Sequence, residues 1–195
     1  MKSFNNIVIA NWKAYITSQT QAGKLFASVS RAHIKLPQNI RPDVVLCVPF
    51  PYLLSLRDLK IENSKLKIGC QNTFWQAEGP YTGEVTTGML RTAGVTHVIV
   101  GHSERRRHLG ETDDMINKKI RAALAARLKV ILCVGEWTRA HTQAEENITC
   151  DFVKAQLVKA LAGVQKNSAQ NVIITYEPVW AISGNKGEAD PPENA

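Results

Sequence analysis

Three side chains in this sequence are of the types needed to move a proton at a carbon next to a carbonyl: Glu177, His102 and Lys13. Such a transfer needs a carboxylate as base, an electrophile that polarises the carbonyl, and a fixed cation for the charge that develops. Each of the three follows an apolar, β-branched run. Val172-Ile173-Ile174-Thr175-Tyr176 leads into Glu177, and Pro178 bars that strand from continuing. Val98-Ile99-Val100-Gly101 leads into His102, and Ile7-Val8-Ile9-Ala10 leads through Asn11 and Trp12 into Lys13. In a parallel barrel the C-terminal ends of the strands converge on one face, where such residues do chemistry. Read singly, each has a plainer account. A histidine after a strand is commonly structural, Lys13 suits a solvated loop, and Glu104 can simply pair with Arg105 or Arg106. Their joint placement at strand ends is what argues for a site.

The elements that would position these residues follow from hydrophobic periodicity. Short apolar runs end near residues 12, 48, 71, 101, 134 and 177, recurring about every 33 residues, with helical patterns between them. Strand alternating with helix is the pattern of a parallel sheet. Ser18 with Gln21 reads as a capping box for a helix carrying Ala22, Leu25, Phe26 and Val29. A short helix is expected over 53–59. Thr86 caps another, ended by Gly94. Thr112 or Asp113 caps one with Ile116, Ile120, Ala123 and Leu124 on a single face. A helix over about 151–164 carries Phe152, Leu157, Leu161 and Val164. Arg105-Arg106-Arg107-His108 and Lys118-Lys119 read as solvated basic faces. The segment 73–84 is a long loop, often a functional feature in a compact domain.

Composition narrows the class. The chain has 195 residues, enough for one domain with a real core, and its 44% hydrophobic content argues against disorder. No apolar run is long enough to cross a bilayer, and the N-terminus lacks a signal peptide's apolar region, so no membrane partner and a cytoplasmic location are expected. The net charge of +7 fits a solvated basic surface or a small anionic substrate; without interleaved aromatics, no nucleic acid is expected. Cys47, Cys70 and Cys133 lie in apolar runs, Cys150 lies apart, and no CxxC spacing occurs, so reduced thiols are expected and no metal site.

Four segments at the strand ends resemble the signatures of the triosephosphate isomerase family. They are Asn11-Trp12-Lys13, Gly101-His102-Ser103-Glu104-Arg105-Arg106, Cys133-Val134-Gly135-Glu136 and Tyr176-Glu177-Pro178-Val179-Trp180-Ala181-Ile182, in the family's order. The resemblance implies an α/β fold of the TIM-barrel type and interconversion of dihydroxyacetone phosphate with glyceraldehyde 3-phosphate. By that family's established acid–base logic, Glu177 is the base and His102 a neutral electrophile. Lys13 supplies charge near the phosphate, Asn11 donates to a substrate oxygen, and Glu104 supports the site from close by. The backbone near Ser183 would meet the phosphate. Pro178, Val179, Trp180, Ala181, Ile182 and Gly184 belong to a closing lid. Tyr81, Thr82, Gly83 and Glu84 would form an interface loop that reaches into a neighbouring subunit. The implied partners are a small phosphorylated triose and a second copy of the chain, with no cofactor.

Two departures from the family pattern stand out. Where members usually carry Gly-Thr-Gly-Lys after Ala-Ile, this chain has Ser183-Gly184-Asn185-Lys186-Gly187-Glu188-Ala189-Asp190, a slightly longer lid with a different second hinge. Residues 1–195 form a single domain of about six βα units, whereas a closed barrel of eight needs about 250 residues. Asp190 and Pro191 read as the cap and first position of a sixth helix. An incomplete, open barrel is therefore expected. It would lack the last two units with their phosphate-gripping amides, so its turnover would be very weak or lost. The alternative is a non-catalytic, self-assembling barrel fragment.

Overall fold

The computed structural model describes residues 6–59 and 66–182. Its frame is one six-stranded sheet in sequential order: β1 (Ile7–Asn11), β2 (Asp43–Val48), β3 (Lys67–Cys70), β4 (His97–Val100), β5 (Lys129–Val134) and β6 (Val172–Tyr176). Every neighbouring pair is parallel. The register climbs across the middle: Val45 faces Lys67, and Gly69 faces His97. That stagger tilts the strands and curls the sheet as barrel closure requires. The result is an open, curled part-barrel.

The curl divides the core in two. Val45, Cys47, Ile99, Ile131 and Cys133 form a cluster of their own, with Ile9 and Ile173 packed against it. Gly69 lies beside it, where a Cβ would stand 2.6 Å from Cys47 Sγ. Alternate strand residues such as Leu46, Val48, Val98, Val130 and Leu132 join a larger cluster with the helices. Among the described residues these helices are α1 (Gln19–Lys35), α2 (Leu53–Asp58), α3 (Thr87–Thr92), α4 (Ser103–Leu109), α5 (Asp113–Ala125), α6 (Gln143–Ala160) and α7 (Lys166–Ala169). Several expected caps form. Ser18 Oγ accepts from Gln21 N–H, Thr86 from Met89 N–H and Thr112 from Met115 N–H. Only half of the first capping box is present, because Gln21 Oε1 accepts from Thr17 N–H.

Three expectations need correction. The helix expected over 151–164 is α6, and it runs over Gln143–Ala160, because Thr142 and Glu145 form a full capping box that starts it early. Its buried residues are Gln156 and Ala160, whereas Phe152 is exposed. The basic run after His102 is a helix, and it is not simply solvated. Arg105 Nε pairs with Glu111 Oε2 at 3.1 Å, and Arg106 Nη1 with Asp113 Oδ1 at 2.6 Å. Lys119 is buried, bonded to Glu111 and, at 2.7 Å, to Asn72 Oδ1. A buried ammonium persists only when so paired. The sixth helix start at Asp190, together with Ser183 and Gly184, lies outside the described residues.

The two edge strands are the exposed part of the sheet. Val8 is 50% exposed in β1, and Ile174 and Tyr176 are 53% and 45% exposed in β6. By contrast β4 is buried throughout.

Candidate active site

The C-terminal ends of β1, β4 and β6 bring the three expected residues to one rim. A cavity of about 260 Å³ is lined by Asn11, Lys13, His102, Cys133, Thr175 and Glu177, among others. A second hollow of about 410 Å³ adjoins it, reaching Gln71, Glu104 and His108.

His102 caps α4 at its N-terminus. Its Nδ1 accepts a hydrogen bond from Glu104 N–H at 3.2 Å. An imidazole nitrogen that accepts carries no proton, so the neutral ring holds its hydrogen on Nε2. Nε2 lies 3.3 Å from Glu177 Oε1. Ser103 N–H donates to Glu177 Oε2 at 3.4 Å. Both carboxylate oxygens thus have donors beside them. Cys133 lines the same cavity beside Glu177; burial first, and then the carboxylate's charge, push its thiol pKa well above the ordinary range and keep it neutral.

Lys13 is held in an unusual backbone conformation, with φ at +49°. The left-handed region is costly for a residue with a Cβ, and such strain is characteristic of functional positions. Two side chains over-determine it. Asn11 Oδ1 accepts from Lys13 N–H at 2.9 Å, and Gln71 Nε2 donates to Lys13 O at 2.9 Å. With its oxygen so engaged, Asn11 presents its amide nitrogen as the donor. Lys13 Nζ pairs with Glu104 Oε1 at 2.8 Å, so Glu104 partners the lysine rather than Arg105 or Arg106. One carboxylate therefore steadies the cation while its own backbone N–H sets the histidine tautomer.

The segment that the resemblance makes the start of a lid is anchored below. Pro178 precedes a 3-10 turn over Val179–Ala181. Val179 N–H donates to Glu136 O at 3.0 Å, and Trp180 Nε1 donates to Glu136 Oε1 at 2.6 Å, with Tyr176 Oη donating to the same oxygen at 2.9 Å. Ile182 lines the cavity. In the sequence Cys133 and Glu136 stand together in one motif with no role of their own, and nothing there points to Gln71 as a neighbour of the site. Glu136 was the recoverable one, since it too ends an apolar strand in a carboxylate. The loop with Tyr81, Thr82, Gly83 and Glu84 stands exposed on the structure, its base fixed by Phe74 N–H donating to Val85 O at 2.8 Å. Among the described residues no cluster of three His, Cys, Asp or Glu side chains is placed to hold a metal ion.

Comparison with known proteins decides the family. The triosephosphate isomerase family model matches residues 6–194. The chain belongs to the triosephosphate isomerase family. It is 42% identical over 180 residues to the triosephosphate isomerase of Caldanaerobacter subterraneus subsp. tengcongensis, covering 92% of this chain and 69% of that relative. Against that of Carboxydothermus hydrogenoformans it is 42% identical over 179 residues, covering 92% of this chain and 68% of the relative. The enzyme of Dictyoglomus turgidum is 40% identical over 179 residues, with 90% and 68% covered. The chain thus spans a little over two thirds of these triosephosphate isomerases. No helix among its described residues is long and apolar enough to cross a membrane.

Proposed function

We propose that this chain interconverts dihydroxyacetone phosphate and glyceraldehyde 3-phosphate, slowly when it is the 195-residue polypeptide alone. The observation that carries the reading is the pair His102 Nε2–Glu177 Oε1 at 3.3 Å, with the other imidazole nitrogen accepting from Glu104 N–H. A substrate carbonyl entering the cavity takes the Nε2–H from Glu177. That exchange polarises the carbonyl and frees the carboxylate to remove the proton on the adjacent carbon. Negative charge gathers on the two oxygens of the enediolate. Nε2–H, the Asn11 amide and the Lys13 ammonium meet that charge, and all three line the cavity. A proton passes from the hydroxyl oxygen on the first carbon to the former carbonyl oxygen, and Glu177 returns its proton to the other carbon, which completes the isomerisation.

The slowness follows from grip. Substrate phosphate binding holds the reacting carbons in place, and binding energy from a non-reacting group serves the transition state. The six strands supply Lys13 as the described cation beside the cavity, and each 1.4 kcal/mol of lost grip costs about tenfold in rate. A coupled isomerase assay tests the proposal. Low activity in the wild-type chain, reduced about a hundredfold or more by Glu177→Gln, supports it. Equal activity in both means a contaminant, and none in either supports a non-catalytic fragment. The exposed Val8, Ile174 and Tyr176 of the edge strands favour that second reading as far as assembly goes, since association would cover them. The phosphorylated triose is the small-molecule partner in the first reading, and a second copy of the chain is the partner in both.

A further inference from the structure

Gln156 lies on α6, which packs against β5, and it is 5% exposed. Its Oε1 accepts from Gly135 N–H at 2.9 Å, and its Nε2 donates to Gly135 O at 3.3 Å. A primary amide offers one donor and one acceptor side by side, the complement of a single residue's N–H and C=O. Gly135 is the residue just past β5. It presses on the main chain of Glu177 so closely that a Cβ there would stand 1.8 Å from Glu177 O and 2.6 Å from its carbonyl carbon. The residues on either side of Gly135 hold the same stretch: Glu177 N–H donates to Val134 O at 2.8 Å and Val179 N–H to Glu136 O at 3.0 Å. Gly135 is the bare surface between those two bonds, and its own polar groups turn to Gln156.

We propose that Gln156 is a positioning residue for the proton transfer. It fixes the Gly135 peptide from behind, and Gly135 in turn sets where the Glu177 main chain, and hence its carboxylate, stands relative to His102. The inference rests on reading Glu177 as the base. Removing the amide leaves a buried N–H and C=O without partners, so the Gly135 peptide turns to find others and gives up its seat against Glu177. A residue that merely fills space there would be replaced without consequence by leucine.

The test uses Gln156→Leu and Gln156→Glu in the 195-residue chain, followed by NMR. It reads amide exchange at Gly135, the carboxyl titration of Glu177 and the imidazole nitrogen shifts of His102, with His97 at the opposite end of β4 as the internal control. In Gln156→Leu, exchange at Gly135 is expected to rise about tenfold, the Glu177 titration midpoint to move and the His102 shifts to change, with His97 unchanged. Gln156→Glu keeps the acceptor and loses the donor, so Gly135 N–H stays protected and the Glu177 and His102 changes are smaller. Faster Gly135 exchange with unmoved Glu177 and His102 signals overturns the proposal. Loss of the whole fold in both variants overturns it equally, since the residue is then structural. Isomerase activity is measured in parallel, and its absence in the wild type contradicts the functional reading without altering these readouts.

Discussion

At the scale of single residues, the site depends on atoms that carry no chemistry themselves. Gly135→Ala places a methyl group where Glu177 O lies 1.8 Å away, so the two main chains must part. The expected outcome is a lowered melting temperature together with loss of the His102–Glu177 proximity, read by the imidazole shifts. His97 makes a different prediction, at the other end of β4. Burial first, and then the charges of Lys129 and Lys67, lower its pKa from 6.5 to about 4. Between those values the unfolded chain binds a proton that the folded chain does not. Its contribution to stability is therefore whole above about pH 6.5 and is lost as pH falls towards 4, by roughly 3 kcal/mol in all. Denaturant melts of the wild type and His97→Gln check this. The substitution should flatten the dependence across that window, and an unchanged slope would assign it to other groups.

At the scale of elements, the α4–α5 corner is held by a buried charge cluster. Glu111 pairs with Lys119 and Arg105, and Lys119 also reaches Asn72 beside β3. Glu111→Leu strands the Lys119 ammonium in a site 3% exposed, and a loss of about 3–5 kcal/mol is expected in urea unfolding. This corner also shows where reading a sequence stops. The six strands were legible because Val, Ile and Leu gather in short runs between turns, and the rim residues were legible because each ends such a run. Ser103–Leu109 was not, because Glu104, Arg105, Arg106, Arg107 and His108 form no apolar stripe. A local cap by His102, a type outside the usual Ser, Thr, Asp and Asn, and the tertiary ion pair from Arg106 to Asp113 of α5 hold it as a helix. Lys119 reads as solvated in the sequence because its counter-ion lies eight residues back, in the connection before α5. Gln156 was invisible for the same reason: its partner is a peptide group, which leaves no mark in a string of side chains.

At the scale of the whole molecule, the described sheet ends in two apolar edges, at β1 and β6. A proposed homo-oligomer covers Val8, Ile174 and Tyr176, and light scattering after size-exclusion chromatography at micromolar concentration should find no dominant monomer. Ile174→Lys should shift the population towards monomer, whereas a wild type that is already monomeric would refute the assembly. The central claim is that an incomplete barrel still gathers a working acid–base trio on one rim. Deuterium uptake tests it most directly. Dihydroxyacetone phosphate is incubated in heavy water with the wild-type chain and with Glu177→Gln, and the carbon-bound hydrogens are followed by NMR. Slow enzyme-dependent exchange of hydrogen at the carbon next to the carbonyl, abolished by the substitution, is the predicted result. Uptake that is equal in the two proteins, or absent from both, would contradict it.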